Sequence, residues 1–163
     1  MDEESLEKAA VYASARGVKT GQGLGFGIHG IVVLLESEEE PGATALKVHA
    51  SAEPYRRERA VYERLREARC TRILGFHVPQ MLRCDDVLLA IEMTVVMPPY
   101  VLDFAGAWLD FPPEFSEEIW EDWTRKNEEQ FGTDWPDAQR ILAELESLGI
   151  HMLDPSPSNI CFR

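Results

Sequence analysis

The stretch Gly25–Val32 reads G-F-G-I-H-G-I-V and decides between two fold classes. Its glycines, Gly25, Gly27 and Gly30, allow backbone amides to approach phosphate oxygens without a clash from a Cβ atom. In a dinucleotide-binding fold, glycines at this spacing open a helix. Here they run into Ile31–Leu35, a β-branched segment typical of a strand. We therefore predict a phosphate-covering loop that precedes a strand, with a flexible glycine turn as the alternative.

Lys47 lies within the second predicted strand, Ala43–His49, which follows an acidic turn at Glu36–Gly42. A lysine inside an apolar strand is costly to bury unless it is paired, although most strand lysines face solvent. It lies 15 residues after Val32, the length of one hairpin. This spacing predicts that the Lys47 ammonium lies under the glycine segment.

A helix is predicted from Pro54 to about Ala68 because its apolar residues recur at helical spacing. Glu58 lies three residues before Val61 and seven before Leu65, so it shares their buried face. Glu63 points away from that face. Glu58 is therefore the predicted partner of the strand lysine, and a surface charge at the helix margin is the alternative.

The segment Asp154–Asn159 reads D-P-S-P-S-N and follows a predicted helix, Asp137–Leu148. The Asp154 carboxylate could accept or orient a hydroxyl proton. The amide oxygen of Asn159 could bind a divalent cation. The alternative is a proline-rich turn whose Asp and Asn side chains bond to their own backbone.

The remaining elements are predicted from periodicity and from turn residues. They are a helix over Glu3–Arg16, strands over Val78–Leu82 and Val87–Met93 joined at Asp85-Asp86, an extended linker from Pro98-Pro99, an acidic helix with Phe115, Ile119, Trp120 and Trp123 on one side, and a final strand over Ile160–Phe162.

The composition argues against several classes of function. The formal net charge of −13 argues against partners with an anionic backbone or surface, namely nucleic acids and acidic membranes. No window approaches the roughly 18 apolar residues of a membrane span, and the N-terminus lacks the pattern of a signal peptide. The cysteines Cys70, Cys84 and Cys161 lack metal-ligand spacing. We read them as reduced thiols of a cytoplasmic protein.

Taken together, the glycine segment, Lys47, Glu58 and Asp154–Asn159 resemble the protein-kinase-like superfamily. This superfamily includes protein kinases and small-molecule kinases such as aminoglycoside and choline kinases. The resemblance covers nearly the whole chain, from Gly21 to Phe162. It implies an α+β fold. Residues 1–97 would form an N-lobe with an antiparallel sheet and one packed helix, and residues 98–163 a reduced helical C-lobe that ends after the catalytic loop.

The resemblance also implies roles for individual residues. ATP phosphates would lie against the glycine backbone. Lys47 would hold the α- and β-phosphates, and Glu58 would hold Lys47. Asp154 would be the catalytic base, and Asn159 a ligand of Mg²⁺. The phosphate-covering residues would be Gly25, Gly27, Gly30 and the following Val32.

For the adenine ring, the resemblance implies a hinge at Leu89–Thr94. Backbone groups of Glu92 and Thr94 would hydrogen-bond the base, and Ile91 would lie at the back of the pocket. Glu92 and Asp103 are candidates for ribose contacts rather than for metal binding.

Two departures from the family pattern bear on activity. The usual H-R-D triplet is altered, with Met152 in place of its histidine, His151 one position earlier and Leu153 in place of its arginine. The D-F-G motif, whose aspartate would bind the main magnesium ion, is missing after Asn159, where only four residues follow.

Three functions remain open at this point. The first is a weak or degenerate phosphotransferase that uses ATP and Mg²⁺ on an unknown acceptor. The second is a pseudokinase that acts as a nucleotide-binding or protein-interaction module, with a partner surface on Glu114–Gln130 or a homodimer contact. The third is an unrelated α+β binding domain, which a structure without a five-stranded sheet packed on the Glu58 helix would establish.

Overall fold

The computed structural model describes residues 3–27, 30–37 and 42–163. Four α-helices and eleven β-strands are present in these ranges. The helices are α1 (Glu3–Arg16), α2 (Ala52–Glu67), α3 (Glu117–Phe131) and α4 (Trp135–Ser147), with a 3₁₀ turn at Gly132–Asp134 before α4. The strands are β1 (Lys19–Gly27), β2 (Gly30–Glu36), β3 (Ala43–His49), β4 (Arg72–Ile73), β5 (Phe76–His77), β6 (Met81–Asp85), β7 (Ala90–Thr94), β8 (Val101–Leu102), β9 (Ala107–Leu109), β10 (Ile150–Met152) and β11 (Ile160–Cys161).

An antiparallel sheet of five strands, in the order β1-β2-β3-β7-β6, forms the larger part of the fold. Residues along each strand alternate between its two faces. One face packs against α1, where Ala9 and Tyr12 meet Ile31, Val33 and Leu46. The molecule is thus an α+β protein with helices on both sides of the sheet.

The other face of this sheet packs against α2. Val61, Tyr62 and Leu65 are buried on one side of that helix, as the periodicity predicted, and Tyr55 is buried with them, whereas Ala68 at the C-cap is exposed. They join Ala45, Ile91 and Met93 of the sheet in the larger hydrophobic core. The five-stranded sheet packed on the Glu58 helix, whose absence would have favoured an unrelated domain, is therefore present.

Two short strand pairs support the loops that carry the candidate site. Strand β8 pairs antiparallel with β11, and β9 pairs antiparallel with β10. The loop between β8 and β9 begins at Asp103, and the loop between β10 and β11 contains Asp154–Asn159. Because each strand that flanks one loop pairs with a strand that flanks the other, the two loops lie side by side.

The glycine segment differs from its prediction. It was expected as a loop ahead of the first strand, yet Lys19–Gly27 is itself strand β1, paired with β2 through irregular register shifts. Positions 28 and 29 of the motif, Ile28 and His29, lie outside the described residues. The acidic turn is described only at its ends, since 38–41 also lie outside them.

Both strands predicted beyond α2 began three residues too early. Strands β6 and β7 occupy Met81–Asp85 and Ala90–Thr94 because the turn between them spans 86–89. The Asp85 carboxylate accepts the amides of Val87 and Leu88, and Leu89 has a positive φ of 54°. Val87, Leu88 and Leu89 lie in this turn, although such an apolar run is typical of a strand.

The region after Pro98-Pro99 is not a plain linker, because it contains β8 and β9. The acidic helix begins at Glu117, with Ser116 accepting the amide of Ile119, so Phe115 precedes the helix. No described helix has the length and apolar character needed to cross a membrane.

Candidate functional site

A cavity of about 560 Å³, here called the cleft, lies between the glycine strand and the two paired loops. It brings together residues that are far apart in the chain. The predicted site residues that line it are Gly25, Gly27, Gly30, Val32, Lys47, Asp154 and Asn159. Asp103 lines the same cavity. A cavity of similar size, about 600 Å³, lies between Gly75 and Ile141 and contains none of the predicted site residues.

Lys47 reaches the cleft from β3 and is only 6% exposed. Its Nζ lies 2.7 Å from Oε1 of Glu58 and 3.1 Å from Oδ1 of Asp103. Burial by itself lowers the pKa of Lys47, but the two carboxylates outweigh burial and raise the pKa above its ordinary value. The ammonium is therefore charged and held between two elements, α2 and the loop after β8.

Glu58 is 2% exposed and lies on the buried face of α2. Burial favours its neutral form, but the charge of Lys47 and a hydrogen bond with His49 outweigh burial and lower the pKa of Glu58 to about 2. Glu63 lies on the more exposed side of α2 and pairs with Arg59 at 2.9 Å. The two carboxylates thus occupy the faces that helical spacing assigned to them.

His49 was not singled out from the sequence. Its Nε2 lies 2.9 Å from Oε2 of Glu58, and its Nδ1 lies 3.2 Å from the carbonyl oxygen of Leu89. The ring also packs edge-on against Tyr55. His49 is two residues from Lys47 and therefore on the same face of β3, a periodicity that could have identified it.

Asp103 is the largest difference between the predicted and observed sites. It was considered only for a ribose contact, whereas it contacts Lys47 directly and its Oδ1 also accepts the amide of Ala105 at 2.9 Å. Its own amide donates to the carbonyl of Asn159 at 2.8 Å, which ties the two loops together. Phe104 is fully buried and packs edge-on against Tyr62 of α2 at 5.6 Å.

The string Asp103-Phe104-Ala105-Gly106 differs from D-F-G by one inserted residue. The resemblance implies such an aspartate after Asn159, where the sequence has none. In the folded protein Asp103 lies beside Asn159, although Asp103 comes earlier in the chain. The signal that could have revealed it is an Asp-Phe pair directly after a short apolar strand.

Asp154 and Asn159 lie in the loop between β10 and β11. Asp154 is 84% exposed at its side chain, and its Oδ1 lies 3.1 Å from Nζ of Lys126 on α3. The Oδ1 of Asn159 accepts a hydrogen bond from the hydroxyl of Ser156. Asp154 is therefore open to a ligand, while the Asn159 amide oxygen has a partner within its own loop.

Asp103 and Asn159 are the residues lining the cleft whose oxygen atoms could hold a magnesium ion. Within the described ranges, no three His, Cys, Asp or Glu side chains are grouped closely enough to hold a metal by themselves. Mg²⁺ is, however, commonly held by one or two protein oxygens together with substrate phosphates. Both protein contacts of Asp103 use Oδ1, and a carboxylate carries a second oxygen that can bind a cation.

The predicted adenine hinge needs a correction. Strand β7 is paired on both sides, with Glu92 opposite Leu46 and Arg83, and the amide of Thr94 donates to the carbonyl of Gln80. The paired backbone of Glu92 and the amide of Thr94 are therefore used by the sheet, whereas Thr94 itself lines a smaller cavity beside the cleft. Ile91 is fully buried in the main core rather than at the surface of the cavity.

The side chain of Glu92 points to the opposite side of the sheet from the cleft. It accepts hydrogen bonds from Tyr12 and Arg16 of α1 and from Thr44. Burial alone raises its pKa, but these three hydrogen bonds outweigh burial and lower it. Glu92 therefore anchors α1 on the sheet and does not reach a ribose in the cleft.

A second cavity of about 270 Å³ adjoins the cleft and shares Val32, Lys47 and Asp103 with it. Its walls include Ala45, Met93, Val95 and Val96. Val95 and Val96 follow Thr94, where the pairing of β7 with β3 ends. An apolar pocket with adjoining strand-end backbone suits a flat heterocycle better than the paired strand does.

The cleft therefore combines a buried, doubly paired ammonium, two loops that carry carboxylates, and glycines that leave backbone accessible. Such a set can bind a polyanion and accept a proton from a nearby hydroxyl. Comparison of the chain with protein-family models, with curated proteins and with solved structures gives no match, so its geometry is what bears on its function.

Proposed function

We propose that the chain binds ATP in the cleft and transfers the terminal phosphoryl group weakly to an acceptor hydroxyl. One observation carries the proposal: the Lys47 ammonium is held by both Glu58 and Asp103 in a cavity that Asp154 and the glycine strand also line. A buried lysine held in this way is pre-organised to bind phosphate oxygens. The pairing also keeps the lysine charged despite its burial.

Different residues of the cleft contact the phosphates and the base. The edge strand β1 covers the phosphates at Gly25 and Gly27, where a Cβ would meet nothing within 4 Å, and Lys47 contacts the α- and β-phosphate oxygens. The base occupies the 270 Å³ cavity beside Thr94, Val95 and Val96, at the C-terminal end of the hinge first predicted. An adenine ring there would stack on apolar side chains and meet backbone beyond the end of the strand.

The hydroxyl oxygen of the acceptor attacks the terminal phosphorus, and Asp154 accepts the proton of that hydroxyl. Asp103 and Asn159 would hold Mg²⁺, which would neutralise charge on the phosphate oxygens when bound. The Asn159 amide oxygen accepts one hydrogen bond from Ser156 and keeps a second lone pair for the cation. Asp103 keeps a whole carboxylate oxygen for it, because both of its side-chain contacts use Oδ1.

The second candidate is a nucleotide-binding module that transfers no phosphoryl group. Two contacts favour it: Asp154 is paired with Lys126, and the Asn159 amide oxygen is already bonded within its loop. The acidic helix α3 would then supply a partner surface through Trp120, which is 39% exposed. Trp123, in contrast, packs on the core.

Calorimetry with ATP tests whether the cleft binds nucleotide. We expect the wild type to bind ATP in a magnesium-dependent manner and Lys47→Ala to bind at least about 10-fold more weakly, since hydrogen bonds to charged groups contribute about 1.5–3 kcal/mol. Lys8→Ala is the matched control, because Lys8 pairs with Glu4 on α1 outside the cleft. Circular dichroism would verify that each variant is folded, and a wild type that binds no ATP would exclude both candidates.

Asp154→Asn separates the two candidates. If Asp154 is the base, ATP affinity is expected to stay within about twofold while phosphoryl transfer falls by about 100-fold or more, the usual range for general-base catalysis. Transfer would be followed as ADP formation with water and with a panel of hydroxyl acceptors. Equal ADP formation by the two proteins would favour the nucleotide-binding module.

A further inference from the structure

At the end of the cleft where the terminal phosphate would lie, carboxylates outnumber basic side chains. Among the described residues that line the cleft, Lys47 is the one basic side chain, against the carboxylates of Asp103 and Asp154. Lys47 already contacts Glu58 and Asp103. A terminal phosphate next to Asp154 would therefore face a carboxylate, so a cation in addition to the proposed Mg²⁺ would stabilise the charge that develops there during transfer.

Lys126 of α3 pairs with Asp154 beside that position, although it does not itself line the cleft. Its Nζ lies 3.1 Å from Oδ1 of Asp154, and the two side chains are 59% and 84% exposed. Ion pairs this exposed contribute little to stability and are screened by salt. The pair is therefore poorly suited to a purely structural role, and Lys126 can exchange the carboxylate for a phosphate at little cost.

The helix that carries Lys126 is fixed to the candidate catalytic loop. Trp123 donates its indole N–H to the carbonyl of Leu153 at 2.6 Å, directly before Asp154. Asn127 is buried and donates to the carbonyl of Trp123. Residues three and four apart share one side of a helix, so Trp123 and Asn127 orient the same side of α3 that presents Lys126.

We propose that Lys126 is a catalytic residue that contacts the terminal phosphoryl group of the nucleotide, an inference that rests on the proposed function. During transfer the acceptor oxygen forms a bond to the terminal phosphorus while the bond from that phosphorus to the bridging oxygen breaks. ADP leaves with the bonding electron pair, and Asp154 takes the hydroxyl proton. Lys126 keeps its own proton and supplies positive charge beside Asp154.

Calorimetry with ATP and with ADP, both with magnesium, tests this contact without relying on turnover. Lys126→Met keeps most of the side-chain length and removes the charge. We expect it to weaken ATP binding by about 10-fold, the range for a charge-assisted hydrogen bond, and to leave ADP binding unchanged because ADP lacks the terminal phosphate. Arg125→Met is the matched control, since Arg125 pairs with Asp122 on the exposed surface of the same helix.

The possible results distinguish the two proposals. Loss of ATP affinity with intact ADP affinity in Lys126→Met, and no change in Arg125→Met, would support the assignment. Equal loss for both nucleotides, or no loss, would overturn the role of Lys126 while leaving nucleotide binding intact. A wild type that binds neither nucleotide would overturn the proposed function, and the role of Lys126 with it.

Discussion

Asp103→Asn is expected to abolish the magnesium dependence of ATP binding and to lower phosphoryl transfer by about 100-fold or more, as loss of an electrostatic group in an active site commonly does. Asparagine has nearly the same shape and can still accept the amide of Ala105, so the loop should keep its conformation. Only the negative charge is lost. Lys47 retains its shorter contact, with Glu58.

Titrations with and without magnesium would measure this effect. Asp122→Asn is a suitable control because Asp122 lies on the exposed side of α3 and pairs with Arg125. If Asp103→Asn bound ATP with the magnesium dependence of the wild type, the metal would have to be held elsewhere. The contact between the loop of Asp103 and the loop of Asn159 would then not form a metal site.

The second large effect concerns stability. Glu58→Ala is expected to lower the free energy of unfolding by about 3–5 kcal/mol, because it leaves Lys47 buried without its closest counter-ion. It also removes the hydrogen-bond partner of His49 Nε2. Glu63→Ala, on the more exposed side of the same helix, should change stability by less than about 1 kcal/mol. Urea denaturation of both variants near pH 7 would measure the difference.

The effect of Glu58 should depend on pH in a definite direction. Folding lowers the pKa of this carboxyl from an ordinary 4.5 to about 2. A lowered pKa in the folded state means that the stabilisation is fully present above about pH 5 and is lost as the pH falls towards about 2. The stability difference between the wild type and Glu58→Ala should therefore shrink over that interval. A constant difference would show that the charge of Glu58 does not stabilise the fold.

Local patterns predicted the helices and the Lys47–Glu58 contact well. The helix Glu3–Arg16 was placed correctly from its periodicity and from Gly17, which has a positive φ of 67°. The face of α2 that carries Glu58 followed from spacing to Val61 and Leu65. The helix face is set by spacing within a few turns, where the sequence carries the information directly, and the Lys47–Glu58 contact joins neighbouring elements only 11 residues apart.

The adenine hinge and the turn before β7 could not be predicted in the same way. An apolar run such as Val87–Met93 satisfies a strand pattern at several registers. Its register was decided by the Asp85 side chain, which bonds to the amides of the turn, and by pairing with β3 and β6. Thr94 consequently ends the strand, and the candidate base pocket is lined by Thr94 together with Val95 and Val96.

By itself, the sequence determined the buried face of α2 and the pairing of a strand lysine with Glu58. Both follow from hydrophobic periodicity and from the cost of burying an unpaired charge. Only the tertiary structure decided that Asp103 completes the cleft. Strands β8 and β9 pair with β11 and β10, and that pairing brings together two loops about 50 residues apart, a long-range contact that no local pattern of residues encodes.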